Sequence, residues 1–311
     1  MLKIVNQLTN KSNYPIIWYY FSHPIILAKN RLIIWSLVLK KYIGGDINFK
    51  NEVKSNIPID IIICAVSKDY DVLVKAIGSI RKNIKHPIDN IFLICPISTK
   101  IKKIAKDNQC TLINENKVLP ITKNDIHYNV NNQDRSGWLF QQLLKFSGDQ
   151  FSKNEYFLIT DSDTIYCRPQ VFINNNKVLL PISNQLCHLP YFDAIYRLIG
   201  EKIPPVFNVT SHHSLLEKSK LKILKNKIEN EKNIPWWQVI INNIDHSQGA
   251  SFSEYQTYGQ FCYKNFSKDF EMEYWFNHGF CKKQLKDLNK ILIYSKRKYK
   301  NISFHSYSDQ E

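Results

Sequence analysis

An apolar run that ends in two acidic residues is the feature that most constrains this chain. Residues 156–164 read YFLITDSDT, so an apolar stretch leads through Thr160 into Asp161 and Asp163. An unbroken apolar run is typical of a strand buried on both faces of a sheet. Carboxylates at the end of such a strand lie where open α/β sheets bind ligands. A divalent cation holding a phosphate would account for both acids, and a turn with a capping aspartate is the alternative.

Composition and charge limit the class of protein. The chain has 311 residues, of which 44% are hydrophobic and 22% charged, as is typical of a globular protein with one large domain or two small ones. The formal net charge of +15 favours anionic partners. Because the sequence has no zinc-finger spacing or RNA-binding motif, we expect no nucleic acid partner. The first explanation of the positive charge is a basic surface exposed to solvent, and the second is attraction to an anionic membrane surface. The seven cysteines form no CxxC pair, which indicates reduced thiols and a cytoplasmic protein.

Residues 1–57 are interpreted as an N-terminal extension. No secretory signal is visible. The segment from Ile16 to Leu39 is apolar and aromatic, but polar residues between His23 and Arg31 interrupt it, and no run reaches the ~18 residues of a spanning helix. We expect the extension to pack on the core, with an interfacial segment on the inner membrane surface as the alternative.

From Pro58 onward, strand-like and helix-like segments alternate. Apolar β-branched runs predict strands, and apolar residues at helical spacing predict the helices between them. The predicted segments are strand 59–66, helix 69–84, strand 90–95, helix 99–107, strand 110–113, helix 136–146, the acid-bearing strand and strand 178–182. This order predicts βαβ units and an α/β fold with a mostly parallel sheet. We expect a nucleotide-binding half over 58–185 and a mixed α/β half with a C-terminal tail over 186–311 that completes a cleft.

The helix predicted over Ser136–Phe146 has a polar face. Trp138, Gln141, Gln142 and Lys145 share that face by their spacing. The face is either solvated or turned into the site, because the helix directly precedes the acid-bearing strand.

The two acids match two known motifs. One is the DxD of glycosyltransferases with the GT-A fold, in which the acids hold a metal that neutralises the diphosphate leaving group. The other is the DxDxT of haloacid-dehalogenase-type phosphatases, in which the first aspartate is the nucleophile. The phosphatase motif sits on the first strand of its domain, whereas about three predicted strands precede Asp161 here. The position therefore favours the transferase.

Several segments together resemble a bacterial glycosyltransferase-like family of the DUF6492 type. They are IDIIICAVSKD from Ile59, SIRKNI from Ser79, HP from His86, GWLFQQLLK from Gly137, the acid-bearing strand, SHH from Ser211 and SEYQTYG from Ser253. The resemblance covers residues 58–308 and does not reach the first 55. It implies a GT-A fold with a Rossmann-like sheet, a nucleotide-diphosphate sugar donor and a cell-surface glycan product.

On the basis of that resemblance, residues near the ends of the strands become donor-site candidates. Asp69 would bind the base or ribose, with a helix cap as its alternative role. Arg135 or Lys145 would contact the diphosphate, and Trp138 would stack on the donor. The donor-site candidates are Val66, Lys68, Asp69, Arg135, Trp138, Gln142, Lys145 and Asp161.

The resemblance also implies a metal, Mn²⁺ or Mg²⁺. Asp163 is the first ligand candidate, and Asp161 lies nearer the ribose or the metal edge. His305 would complete the metal site as a neutral imidazole, and His278 competes for that role.

The acceptor half supplies the remaining candidates. Glu254 is the candidate base that takes the proton of the acceptor hydroxyl in an inverting transfer, with a carboxylate favoured at a helix start as its alternative. His212 and His213 are acceptor-site or alternative-base candidates, and Tyr255 is a further acceptor-binding candidate.

We therefore predict a cytoplasmic enzyme, peripheral at the inner membrane, that moves a sugar from its donor to a hydroxyl of a glycan or glycolipid, such as lipopolysaccharide or capsule. Two other classes stay open. One is a DxDxT phosphatase, and the other is a basic protein that binds membrane surfaces or nucleic acid.

Overall fold

The computed structural model describes residues 14–50, 52–230 and 233–305. The first thirteen residues of the predicted extension and the end of the predicted tail, 306–311, lie outside the described residues. The helices are α1 Tyr14–Ser22, α2 Pro24–Tyr42, α3 Tyr70–Asn83, α4 Thr99–Asp107, α5 Ser136–Phe146, α6 Leu189–Ile199, α7 Lys218–Asn230, α8 Trp236–Asn242, α9 Glu254–Phe266 and α10 Leu288–Lys298. The strands are β1 Ile59–Cys64, β2 Ile88–Cys95, β3 Thr111–Asn114, β4 Asn129–Val130, β5 Gln133–Asp134, β6 Tyr156–Asp161, β7 Thr164–Tyr166, β8 Ile173–Asn174, β9 Lys177–Ile182, β10 His213–Glu217, β11 Phe270–Tyr274, β12 Asn277–Cys281 and β13 Asn301–His305.

A five-stranded central sheet carries the acid-bearing strand in its interior. The strand order is β10-β6-β1-β2-β3, and all neighbours are parallel except β10, which runs antiparallel to β6. β1 is buried along its whole length, and Phe157, Leu158 and Ile159 of β6 are fully buried. The predicted α/β class with a mostly parallel central sheet flanked by helices is confirmed.

The helices that cover this sheet follow the predicted periodicity. Val72 and Ala76 of α3 pack in a smaller cluster with residues of β7 and β13, whereas Leu73 and Ile77, one position further along the helix, pack in the main core. α5 buries Leu139 and Leu143 in the same core, so the helix predicted immediately before the acid-bearing strand is present.

A second, three-stranded sheet lies directly after the acids, and local sequence patterns did not predict it. Its order is β12-β13-β7, with β13 parallel to β12 and antiparallel to β7. Since β7 starts at Thr164 and β13 ends at His305, this sheet brings the C-terminal strand next to the acids. Another small sheet, β11-β9-β8, contains the predicted strand at 178–182.

The N-terminal helices contact the rest of the domain on one side. Ile34 and Leu37 of α2 belong to the main core, and Ile16 and Tyr20 of α1 pack with Phe192 of α6. Within the part of the chain that the structure describes, no helix is both long enough and apolar enough to cross a membrane.

Candidate metal and donor site

Asp161 sits at the carboxyl end of β6, between the ends of two neighbouring strands. Cys64, the last residue of β1, is its register partner on one side, and on the other side its amide donates to the carbonyl of His212 at 3.0 Å. His212 directly precedes β10 and has a positive φ of 64°, a conformation that is uncommon for a non-glycine residue. That turn places the His212 ring beside the acid, with Nδ1 at 3.0 Å from Asp161 Oδ2.

The other oxygen of Asp161 is held by a buried cluster around Lys145. The Lys145 ammonium lies 2.5 Å from Asp161 Oδ1 and 2.8 Å from Glu254 Oε1. The Tyr255 hydroxyl donates to Asp161 Oδ1 at 2.8 Å, and Lys145 also donates to that hydroxyl at 3.1 Å. Lys145 is 2% exposed. The polar face of α5 is therefore turned into the protein at this point.

Charges set the protonation of this cluster. Burial alone would raise the pKa of Asp161, but the Lys145 ammonium and the His212 ring outweigh it and hold the pKa well below the usual range. Burial pulls the pKa of Lys145 down, yet the charges of Asp161 and Glu254 raise it well above its usual value. Asp161 is therefore a carboxylate and Lys145 an ammonium at neutral pH.

Asp163, the second acid, is contacted by a second histidine. His305 Nδ1 lies 3.1 Å from Asp163 Oδ2, and the amide of Phe304 donates to the Asp163 carbonyl at 3.1 Å. Gly279 backs this histidine, because a Cβ there would come within 3.2 Å of the His305 ring. His278, the competing candidate, stacks on Tyr299 with ring centroids 5.2 Å apart. His305, the first histidine candidate, is therefore in contact with Asp163.

These side chains form a group that could hold a divalent cation. Ligand atoms of Asp161, Asp163 and His212 all lie within 4.8 Å of one another, and the rings of His212 and His305 are 5.1 Å apart. Two carboxylates with one or two imidazoles suit Mn²⁺ or Mg²⁺, which accept oxygen ligands and in the case of Mn²⁺ also nitrogen. The residues present therefore fit the predicted metal, and His212 joins the acids although the sequence suggested it for the acceptor.

The loop after β1 contributes a third carboxylate. Ser67–Asp69 form a short 3₁₀ turn before α3, and the Ser162 hydroxyl, between the two acids, donates to Asp69 Oδ2 at 3.5 Å. Burial and then the charge of Asp163 raise the pKa of Asp69. Lys282 lies 3.9 Å from Asp69 and also donates to the carbonyl of Lys68. The structure thus brings Asp69 to the acids, whereas the neighbouring Lys68 is exposed and Val66 is exposed at the start of the turn.

The remaining donor candidates on α5 face different ways. Gln141 donates to the carbonyl of Cys64 at 3.2 Å, at the end of β1, whereas Gln142 is buried and donates to the carbonyl of Trp138. Arg135 lies over the Trp138 ring at 4.9 Å. Gln141 therefore reaches the end of β1, as Lys145 reaches the end of β6. The sequence pattern that could have identified Gln141 as a site residue is its spacing of four from Lys145 on the same helix.

His213 and Tyr255 differ from their predicted surroundings. The His213 ring is buried against Trp275, with centroids 3.9 Å apart, and its Nδ1 contacts the Ser211 carbonyl. Burial lowers the pKa of His213 to about 3, so it is a neutral core side chain. The hydroxyl of Tyr255 is directed at Asp161, to which it donates a hydrogen bond. Neither position lends support to an acceptor contact, and those two assignments stay predictions.

Several solved glycosyltransferases are similar to this chain in structure. The galactosyltransferase LgtC, in complex with donor and acceptor sugar analogs, aligns at 10% identity with a TM-score of 0.42, over 79% of this chain and 87% of that chain. The apo bifunctional glycosyltransferase WbbM aligns at 11% identity and a TM-score of 0.42, over 83% of this chain and 47% of that chain. Glucosyl-3-phosphoglycerate synthase from Mycobacterium tuberculosis was solved with Mn²⁺, UDP and glucosyl-3-phosphoglycerate. It aligns at 10% identity and a TM-score of 0.33, over 59% of this chain and 68% of that chain. Likenesses this distant do not assign an activity to the chain.

Sequence comparison places the chain in a family. No curated protein sequence matches it. The model of a family of unknown function, DUF6492, matches residues 67–298. The matched region contains Asp69, Lys145, both acids and Glu254, and it ends before His305. The chain belongs to the DUF6492 family.

Proposed function

We propose that this protein is a metal-dependent glycosyltransferase that moves a sugar from a nucleotide-diphosphate donor to a hydroxyl group. One observation carries the proposal. Asp161, Asp163 and His212 present ligand atoms within 4.8 Å of one another at the carboxyl end of a central parallel strand. That edge of an α/β sheet is where nucleotides and other phosphorylated ligands bind.

The proposed roles follow from how each acid is held. A bound Mn²⁺ or Mg²⁺ would neutralise the charge that develops on the diphosphate as it leaves. Asp163, Asp161 and His212 would hold the cation, with His305 orienting Asp163 or joining the ligands. Lys145 and Tyr255 keep Asp161 ionised and fixed, so this acid keeps a single orientation. Asp69 and Lys68 would contact the base or ribose, and Arg135 and Trp138 the rest of the donor.

The same geometry disfavours a phosphatase. A DxDxT phosphatase needs a free oxygen on its first aspartate to attack phosphorus. Here Oδ1 of Asp161 accepts from Lys145 and Tyr255, and Oδ2 is bound by His212. These contacts and the depressed pKa make Asp161 a weak nucleophile. Each carboxylate oxygen has two lone pairs, so Asp161 can accept these hydrogen bonds and still contribute a lone pair to a cation.

We retain Glu254 as the proposed base of an inverting transfer. Its Oε2 has no hydrogen-bond partner among the described residues, and burial raises its pKa, which moves a carboxyl toward useful basicity at neutral pH. Its Oε1 pairs with Lys145 and the side chain is 0% exposed, so it also serves as the counter-charge of Lys145. A base role requires Oε2 to face the acceptor in the loaded enzyme.

The finer assignments belong to the same proposal. The acceptor would be a glycan or glycolipid of the cell surface, such as lipopolysaccharide or capsule, and the enzyme would work in the cytoplasm at the inner membrane. The basic charge of +15 suits an anionic substrate or surface.

A sugar-nucleotide screen tests the proposal. The full chain is heated with UDP-, GDP-, ADP- and dTDP-linked sugars, with and without Mn²⁺, and the melting temperature is followed. A true donor stabilises the folded state by mass action, so one nucleotide class should raise the melting temperature in Mn²⁺ and lose its effect in excess chelator. The stabilising donor is then tested for slow release of its sugar into water.

Variants locate the effect at the acids. Asp163→Ala should abolish both the metal-dependent shift and sugar release. Asp71→Ala is the matched control, because Asp71 is an exposed acid whose ion-pair partner among the described residues is the exposed Lys100, at 3.4 Å. Full sugar release by Asp163→Ala, or by the parent protein in excess chelator, would refute the metal role. Absence of any stabilising sugar nucleotide, together with hydrolysis of a generic phosphate ester, would refute the transferase.

A further inference from the structure

The two N-terminal helices expose a set of large apolar side chains that the rest of the structure does not cover. Eight of the fifteen exposed large apolar side chains in the described residues lie in this short segment, and each is between 54% and 75% exposed. They are Trp18, Phe21, Ile25, Leu32, Trp35, Leu39, Tyr42 and Ile43, and we call them the apolar face. Soluble proteins rarely keep so many exposed apolar groups together without a partner.

Helical spacing puts most of these residues in one stripe. In α2, Ile25, Leu32, Trp35, Leu39 and Tyr42 follow one another at steps of seven, three, four and three, so they line one side of the helix. The buried side of the same helix is formed by Asn30, Ile34 and Leu37. The stripe is therefore the side of α2 that faces away from the protein core.

The charged residues of α1 and α2 are all basic. Residues 14–42 contain no Asp or Glu. Lys29 and Arg31 fall on the two edges of the stripe by their helical positions, and Lys40 and Lys41 follow near its end. Lys40 pairs with Glu271, and Lys41 lies 4.1 Å from the centre of the Phe49 ring. The surface is thus an apolar stripe with a basic border.

We infer that the apolar face docks the protein onto the interface of an anionic phospholipid bilayer. An apolar helix face bordered by Lys and Arg lies in the plane of the interface, with aromatic rings at the depth of the headgroups. Trp18, Trp35 and Tyr42 supply those rings. A second copy of the chain fits less well, because Lys29 and Arg31 would then face like charges along the seam.

Vesicle binding tests the docking. The full chain is sedimented with vesicles of phosphatidylcholine containing 30% phosphatidylglycerol, a composition we choose, and with phosphatidylcholine alone. Binding to the anionic vesicles is expected, weakened by salt, with much less binding to the neutral ones. Trp35→Ser/Leu39→Ser should lower the partition coefficient by roughly tenfold or more, and Lys29→Glu/Arg31→Glu should remove the preference for anionic lipid.

Two controls make the outcome decisive. Ile293→Ser/Tyr294→Ser changes exposed apolar residues of α10, at 65% and 62% exposure, and should bind like the parent. Asp163→Ala should also bind vesicles like the parent, because docking does not need the transfer reaction. A failure of the docking proposal can therefore be distinguished from a failure of the proposed function. Equal binding by Trp35→Ser/Leu39→Ser, or no binding by the parent, would overturn the proposal. So would a parent dimer in light scattering that Trp35→Ser/Leu39→Ser converts to a monomer.

Discussion

Replacing Lys145 with methionine should destabilise the protein strongly, because the ammonium pairs with the fully buried carboxylate of Glu254 and with the half-buried carboxylate of Asp161. Lys145 is 2% exposed and contacts Asp161 at 2.5 Å and Glu254 at 2.8 Å. After the substitution, Asp161 keeps Tyr255 and His212. Glu254, which is 0% exposed, loses the ammonium that pairs with its Oε1, and its Oε2 has no hydrogen-bond partner among the described residues. Removing one partner of a buried ion pair costs about 3–5 kcal/mol.

A second substitution identifies the source of that cost. In Lys145→Met/Glu254→Gln the stranded charge is replaced by a neutral amide, whose unmet hydrogen bonds cost about 1–3 kcal/mol. The double variant should therefore be more stable than Lys145→Met alone, by about 1–3 kcal/mol. The measurement is the free energy of unfolding from urea titrations at neutral pH, with the slope against urea compared between variants.

A matched surface substitution sets the scale. Lys100 pairs with Asp71 at 3.4 Å, and the two side chains are 63% and 72% exposed, so Lys100→Met should change stability by no more than ~0.5 kcal/mol. The reasoning is refuted if Lys145→Met costs under about 1 kcal/mol. It is equally refuted if adding Glu254→Gln makes that variant less stable.

Three other expectations follow from the same contacts. Glu254→Gln should lose sugar transfer while the melting shift with donor and Mn²⁺ is retained; a parallel loss of that shift would assign Glu254 to donor binding instead. His212→Ala should weaken metal-dependent donor binding, measured by calorimetry, whereas His213→Phe should leave it intact because that ring is buried against Trp275; equal effects would contradict the metal-site geometry. Burial raises the pKa of Glu273 to about 7, against the opposing charge of Lys300. The folded state thus binds a proton on Glu273 more tightly than the unfolded state does. The contribution of this proton to the free energy of unfolding is complete below pH 4.5 and is lost as the pH rises to about 7. Glu273→Gln should flatten that slope in urea titrations between pH 5 and 8, and an unchanged slope would exclude Glu273 as its source.

The sequence predicted the two elements of the candidate site that short stretches of sequence determine, β6 and α5. The apolar run of β6 and the helical spacing of α5 belong to short stretches, and both elements formed where the sequence indicated. The contact between Asp163 and His305 joins residues 142 positions apart through a strand pairing that no local period encodes. His212 and His213 show the same limit. His212 lies in a turn and its ring contacts Asp161, whereas His213 begins β10 and its ring packs in the core against Trp275.

The N-terminal segment shows a different limit. α2 is apolar on both sides, so hydrophobic spacing cannot tell the side that packs on the core from the side that stays exposed. Only the positions of β11 and α6, set by the remainder of the chain, decide which side is covered. The sequence leaves packing on the core and an interfacial segment as alternatives, and in the structure α2 has one face packed on the core and one exposed face.

A buried ion cluster links this segment to the strand that carries His305. Lys300 is 0% exposed, and its ammonium lies 2.9 Å from Asp46 and 2.8 Å from Glu273. Asn48 also donates to Glu273 at 2.8 Å. Because residues 46–48 satisfy buried charges of the C-terminal half, the end of the N-terminal segment is part of the domain rather than an appendage to it. Lys300 directly precedes β13, whose last residue contacts Asp163. One buried ammonium therefore connects the end of the N-terminal segment to the strand whose last residue contacts an acid of the candidate site.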